Sequence, residues 1–173
     1  MKKLLMFVAF VAMCVTASAQ SAGMKKYADQ HMSLEYPEEF TAGDGNEYHF
    51  QARAEDNFSM LDLKLSTMAS NLNQMKEWCQ EKKDNVNDDE DGTWTAGNIE
   101  VKGQLVSVRC DGEQEVMNND TYKYDMTKVV KIAFTLTTPN KMNFKGEMYY
   151  KLADEAKMKP AFEKMLASLK AIK

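Results

Sequence analysis

The sequence predicts an α+β domain: an antiparallel β-sheet packed between two α-helices, an α/β/α sandwich. Three observations predict it. Lys128–Pro139, KVVKIAFTLTTP, is rich in β-branched and aromatic residues and alternates, which marks a strand of the sheet interior. Leu72, Met75, Cys79, Lys82 and Val86 recur at three- and four-residue spacing, the period of a helix. Phe162, Met165, Leu166, Leu169 and Ile172 form a second helical stripe at the end of the chain.

The first residues read as a targeting segment. Lys2 and Lys3 precede the uncharged apolar run Leu4–Val15, and Ala17-Ser18-Ala19 supplies small residues where a signal peptidase cuts. Residues 1–19 are therefore expected to be a cleaved signal peptide, and 20–173 a single α+β domain. The whole chain carries a formal charge of −4, and processing removes two lysines and no acid. An acidic chain argues against a nucleic-acid partner. No second apolar run is long enough for a membrane span in the mature chain. The expected location is extracytoplasmic, periplasmic or secreted.

The polar stretch Ser21–Gln30 reads as a lead. Met32, Leu34 and Tyr36 alternate in a first strand that stops at Pro37. Thr41–Glu47, with Gly43-Asp44-Gly45, reads as a loop. Tyr48, Phe50 and Ala52 alternate in a second strand, and Glu55-Asp56-Asn57 turns the chain. Leu61, Leu63 and Leu65 line one face of a third. The first helix follows, with Asn71 as N-cap and Gln74 completing a capping box; it should stop near Asp84. After the acidic loop Asp84–Gly92, Gly97-Asn98 reads as a hairpin turn, Gly103 as a bulge where the alternation slips, and Asp111-Gly112 as another hairpin. Asn118-Asn119-Asp120 turns into the strand through Lys128–Pro139. In the partner strand Phe144–Leu152, Tyr149 and Tyr150 point to opposite faces. Pro160 reads as the first turn of the last helix.

Ser33-Leu34-Glu35-Tyr36-Pro37 and the closing FEKMLASLK of Phe162–Lys170 resemble the PsbP-like family. There a first strand ends in an aromatic–proline pair and a last helix carries a serine–apolar–lysine signature. The helix over Asn71–Lys83 falls where that family places its first. Related folds occur in a nuclear-import factor and in small bacterial envelope proteins. The resemblance implies an antiparallel sheet with flanking helices and a binding role, and no shared catalytic site.

Catalytic motifs are not visible. The two histidines, His31 and His49, lie on different segments, and Cys-x-x-Cys, His-Glu-x-x-His and Gly-x-Ser-x-Gly do not occur. Read as a calcium loop, Asn87, Asp89 and Asp91 take the first, third and fifth places, Gly92 the sixth and Trp94 the eighth. The twelfth is Asn98, which cannot give the bidentate carboxylate. Calcium is thus the one cofactor this loop suggests, against a solvated acidic loop. Cys79 and Cys110 permit one disulfide in an oxidising compartment, or are two small buried hydrophobes. The fourteen methionines are dispersed, which favours core packing over a copper cluster. Glu81–Asp91 is acidic and Lys157–Lys173 basic, an arrangement suited to docking. The expected function is a secreted non-enzymatic module that binds an envelope or secreted protein; the alternative is a weak calcium-binding or small-ligand protein, the ligand lying between sheet and helix.

Overall fold

The computed structural model describes residues 23–43, 48–56, 58–87 and 92–172. The chain runs β1 (Met24–Ala28), β2 (Met32–Pro37), β3 (Phe40–Ala42), β4 (His49–Ala54), β5 (Met60–Ser66), α1 (Leu72–Asp84), β6 (Gly92–Lys102), β7 (Leu105–Asn118), β8 (Lys123–Thr137), β9 (Asn143–Lys151), a 3₁₀ turn over Leu152–Asp154, α2 (Glu155–Ser168) and β10 (Lys170–Ala171). Seven strands form one sheet in the order β3-β4-β5-β9-β8-β7-β6, and three form another, β1-β2-β10. Every recorded pairing is antiparallel.

This corrects the expected architecture of one sheet packed between two helices. The described residues are mostly β, and they form two sheets. Met32, Leu34 and Tyr36 do alternate, but β2 pairs with β1 and with the residues after α2, not with the larger sheet. The larger core cluster joins β2 and α2 to the Val130/Phe134 face of β8. The smaller one joins Met75 and Cys79 of α1 to Val106, Val108, Cys110, Val129 and Ala133. The two faces read from Lys128–Pro139 therefore belong to different cores.

The capping box on α1 is present: Asn71 Oδ1 accepts from Gln74 N, and Gln74 Oε1 accepts from Asn71 N, each at 3.0 Å. The helix ends at Asp84, where Asn85 N–H donates to Glu81 O. Five local readings are overturned. The polar lead contains β1, whose side chains are half-buried at best; its backbone ladder to β2 holds it, without apolar alternation. Gly97-Asn98 is the irregularity, between Ala96 and Ile99, and Gly103 (φ +62°) is in the turn that pairs Lys102 with Leu105. Asp111-Gly112 lies inside β7. Gly112 sits opposite Trp94, whose ring a Cβ there would meet at 2.7 Å, so close packing and not a turn requires the glycine. Pro160 is inside α2. It leaves the carbonyl of Ala156 without its i+4 donor, and Ala156 is exposed to water.

Candidate functional site

Of the calcium-loop residues, Asn87 is described and Asp89 and Asp91 lie outside the described residues. Asn87 Oδ1 accepts from Trp94 N at 2.9 Å, and its Nδ2 donates to Trp94 O at 3.3 Å. The amide thus ties Asn87 to β6. Among the described residues, no three His, Cys, Asp or Glu side chains gather as a metal site. Cys79 and Cys110 both lie in the smaller core as buried thiols. Cys79 Sγ donates to Val106 O at 3.6 Å. Burial pushes its pKa up to about 12, so little thiolate forms at neutral pH. Native Cys79 is accordingly expected to resist iodoacetamide at pH 8 and to react once the protein is unfolded in urea, read by mass spectrometry. Rapid labelling of the folded protein would mean that α1 opens.

His49 faces Asp62 across β4 and β5, Nε2 lying 3.1 Å from Oδ1, and Gln51 Nε2 donates to the same carboxylate at 2.5 Å. The row continues over β9 and β8 with Glu147, Tyr149 and Lys131. Glu147 takes ion pairs from Lys82 of α1 and from Lys131, the latter at 3.5 Å. Tyr149 OH donates to Glu147 at 2.9 Å. Lys82 and Lys145 stand 5.6 and 5.8 Å from the Trp78 ring. Tyr149 and Tyr150 do take opposite faces, Tyr149 half-buried in this network and Tyr150 fully buried in the larger core. Every carboxyl with a resolved shift among the described residues is held low. That direction suits fixed ion pairs and opposes a general acid.

Three exposed apolar side chains lie together at the far end of β7 and β8. Among the described residues, β6 joins the ladder from Gly92, opposite Gln114, and β9 ends at Lys151, opposite Val129. Beyond Gln114↔Thr127 the two strands pair with each other as a ribbon as far as Asn118↔Lys123. Val116 turns to the smaller core. The other face carries Tyr124 and Met126, with Tyr122 at the turn; they are 67%, 63% and 80% exposed. Burying such a side chain is worth about 1.5–3 kcal/mol, so three left in water on one ribbon form an unusual patch. The tip is well fixed. Asn118 Oδ1 accepts from Asp120 N and Thr121 N at 3.0 and 3.2 Å, and Tyr122 N donates to Asn118 O at 2.8 Å. Asn119 Nδ2 donates to Glu55 O of the β4–β5 turn at 2.7 Å. From the sequence, the turn at Asn118-Asn119-Asp120 leads into the strand. The alternation of Tyr122, Tyr124 and Met126 is visible in the sequence, but their exposure is not.

No protein-family model matches the chain, and no curated protein matches it. Among solved structures, the chain is similar to the Saccharomyces cerevisiae Ran-binding protein Mog1p, with a TM-score of 0.55 and 12% identity over 88% of this chain and 97% of that one. At that identity the likeness shows the fold alone. It supports the PsbP-like resemblance as a fold of the Mog1 type. Among the described residues no helix is long and apolar enough to cross a membrane.

Proposed function

We propose that the chain, processed after Ala19, is a non-enzymatic module that works outside the cytoplasm of a bacterium and binds an envelope or secreted protein through the β7–β8 ribbon. The observation that carries this is the Tyr122/Tyr124/Met126 patch on a hydrogen-bonded tip. Tyrosine and methionine are enriched at protein interfaces, and a fixed tip loses little conformational freedom on docking. The similar structure is that of a protein described as Ran-binding, so the fold is compatible with a protein partner.

The test uses residues 20–173 and an envelope extract. A photo-crosslinking side chain at Tyr124 is expected to capture one protein, and the same group at Lys76 on α1 is not. The variant Tyr122→Ser/Tyr124→Ser/Met126→Ser should melt within a few degrees of the parent, because the three side chains are exposed. It should lose the capture at least tenfold, since removing the centre of an interface costs about 2 kcal/mol or more. Capture that persists in the triple variant overturns the ribbon reading. Capture lost on calcium chelation transfers the role to the Asn87–Asp91 loop.

A further inference from the structure

α2 packs chiefly on β2. Beside it, Leu105, Ser107 and Arg109 of β7 line a groove of about 410 Å³ that runs between helix and sheet. That volume is in the range of small-molecule sites. Leu105 and Ile132 on the sheet and Phe162 and Leu166 on the helix give it apolar surfaces. It also has two hydroxyls. Ser107 lies between Leu105 and Arg109 on the groove face of β7, half-buried, and its Oγ makes no hydrogen bond among the described residues. Tyr150 of β9 is wholly buried at the groove, and its hydroxyl has no partner among the described residues. A buried donor left unmade is costly, and folded proteins rarely keep one.

The charges around the groove are already matched. Arg109 donates to both oxygens of Glu155 at 2.5 and 2.7 Å and to Asp111 at 2.7 Å. A guanidinium has no lone pair to offer Tyr150. At the rim, Lys102 pairs with Glu100 at 2.7 Å, and Lys159 and Glu163 bring one charge of each sign. No surplus charge waits for an ionic head group, and an unmatched ion in such a site is penalised. Burial pushes the Tyr150 pKa up to about 12, and Glu155 adds to it, so the phenol keeps its proton and remains a donor.

We propose that this groove binds a small uncharged molecule with an apolar body and a carbonyl or hydroxyl oxygen, the oxygen accepting a hydrogen bond from Tyr150. The site is separate from the ribbon and does not depend on it. Because the Tyr150 hydroxyl is covered, an entering ligand displaces a side chain to reach it. Ser107 supplies a second polar contact on the groove face.

The probe is 6-propionyl-2-dimethylaminonaphthalene, which is neutral, apolar and carries one carbonyl, and whose emission shifts red when that carbonyl accepts a hydrogen bond. It is expected to bind residues 20–173 saturably with one site. Tyr150→Phe should weaken it about fivefold, remove the hydrogen-bonded component of the emission, and leave the melting temperature unchanged or raised. Ser107→Leu, which fills the groove from the sheet side, should abolish binding while the protein melts cooperatively. The anionic probe 8-anilinonaphthalene-1-sulfonate should bind more weakly than the neutral one. The ribbon triple variant should bind the neutral probe as the parent does. Equal binding by the parent and both groove variants overturns the site. Tighter binding of the anionic probe overturns the ligand class. A lower melting temperature in Tyr150→Phe shows that the hydroxyl has a partner in the protein, and overturns the argument from it.

Discussion

Replacing Glu147 by alanine is expected to destabilise the protein by about 3–5 kcal/mol, the range for breaking a buried ion pair from one side. The Glu147 side chain is 16% exposed, and that of Lys131 only 9%. Burial alone raises the Glu147 pKa. The Lys82 hydrogen bond, the charges of Lys131 and Lys82 and the Tyr149 hydroxyl outweigh it and hold the carboxyl low. Alanine removes all of those contacts and leaves a buried ammonium beside the Tyr149 ring, 5.0 Å from its centre. The ring offers about 0.5–2 kcal/mol of cation–π attraction, less than the carboxylate it would have to replace. The last turn of α1 is also released, because Lys82 ties it to β9. Urea unfolding at pH 7 measures the loss, and a value under about 1 kcal/mol would show that water already screens the cluster. Glu147→Leu combined with Lys131→Met should recover most of the stability, since neither charge then remains buried.

The same pair predicts a pH dependence of definite sign. The native pKa of Glu147 lies below its unfolded value near 4.5. The pair's contribution is therefore complete above about pH 4.5 and is lost as pH falls through the lower native value. The difference between the parent and Glu147→Gln should be largest at neutral pH and should shrink below pH 4. A difference that grew in acid would reverse the assignment.

What could be read from the sequence was what neighbouring residues decide among themselves. The Asn71–Gln74 capping box closes within four residues, and it is there. Leu61, Leu63 and Leu65 share a buried face because the pleat has a period of two. What could not be read depends on which strand arrives alongside. Gly97-Asn98, Gly103 and Asp111-Gly112 are all acceptable turn sequences, and only the pairing of Lys102 with Leu105 assigns the turn to Gly103. β1 and β10 have little apolar alternation to display, and their partner β2 is remote from β10 in the chain. The ribbon patch lies beyond the end of β9 and beyond the described part of β6. The groove exists because of where α2 crosses the sheet. Both candidate sites are consequences of tertiary placement, whereas the Asn87–Asp91 pattern was local, and its one described side chain is spent on Trp94.

Replacing Gly146 by valine is expected to destabilise the protein by about 3 kcal/mol, although strand propensity points the other way. Glycine weakens a strand interior and valine favours it, within a scale of about 1 kcal/mol. Sterics decide the sign. Gly146 lies between Leu63 of β5 and Phe134 of β8. A Cβ there would meet Phe134 Cζ at 2.7 Å and the backbone oxygen of Asp62 at 2.8 Å. The ring can tilt, but a carbonyl inside a seven-stranded sheet cannot retreat without breaking ladder bonds. Overpacking of this kind costs about 1–3 kcal/mol, occasionally more, and valine adds two methyl groups to the first clash. Phe134 also packs edge-on against Phe162 at 5.2 Å, and Phe162 lines the groove beside α2. The disturbance is therefore expected to reach the groove: Gly146→Val should lose denaturant stability and neutral-probe binding together, and Gly146→Ala should lose less of each. A valine variant as stable as the parent would mean that β5 and β9 separate easily, and that the Phe134–Phe162 contact does not set the position of the helix.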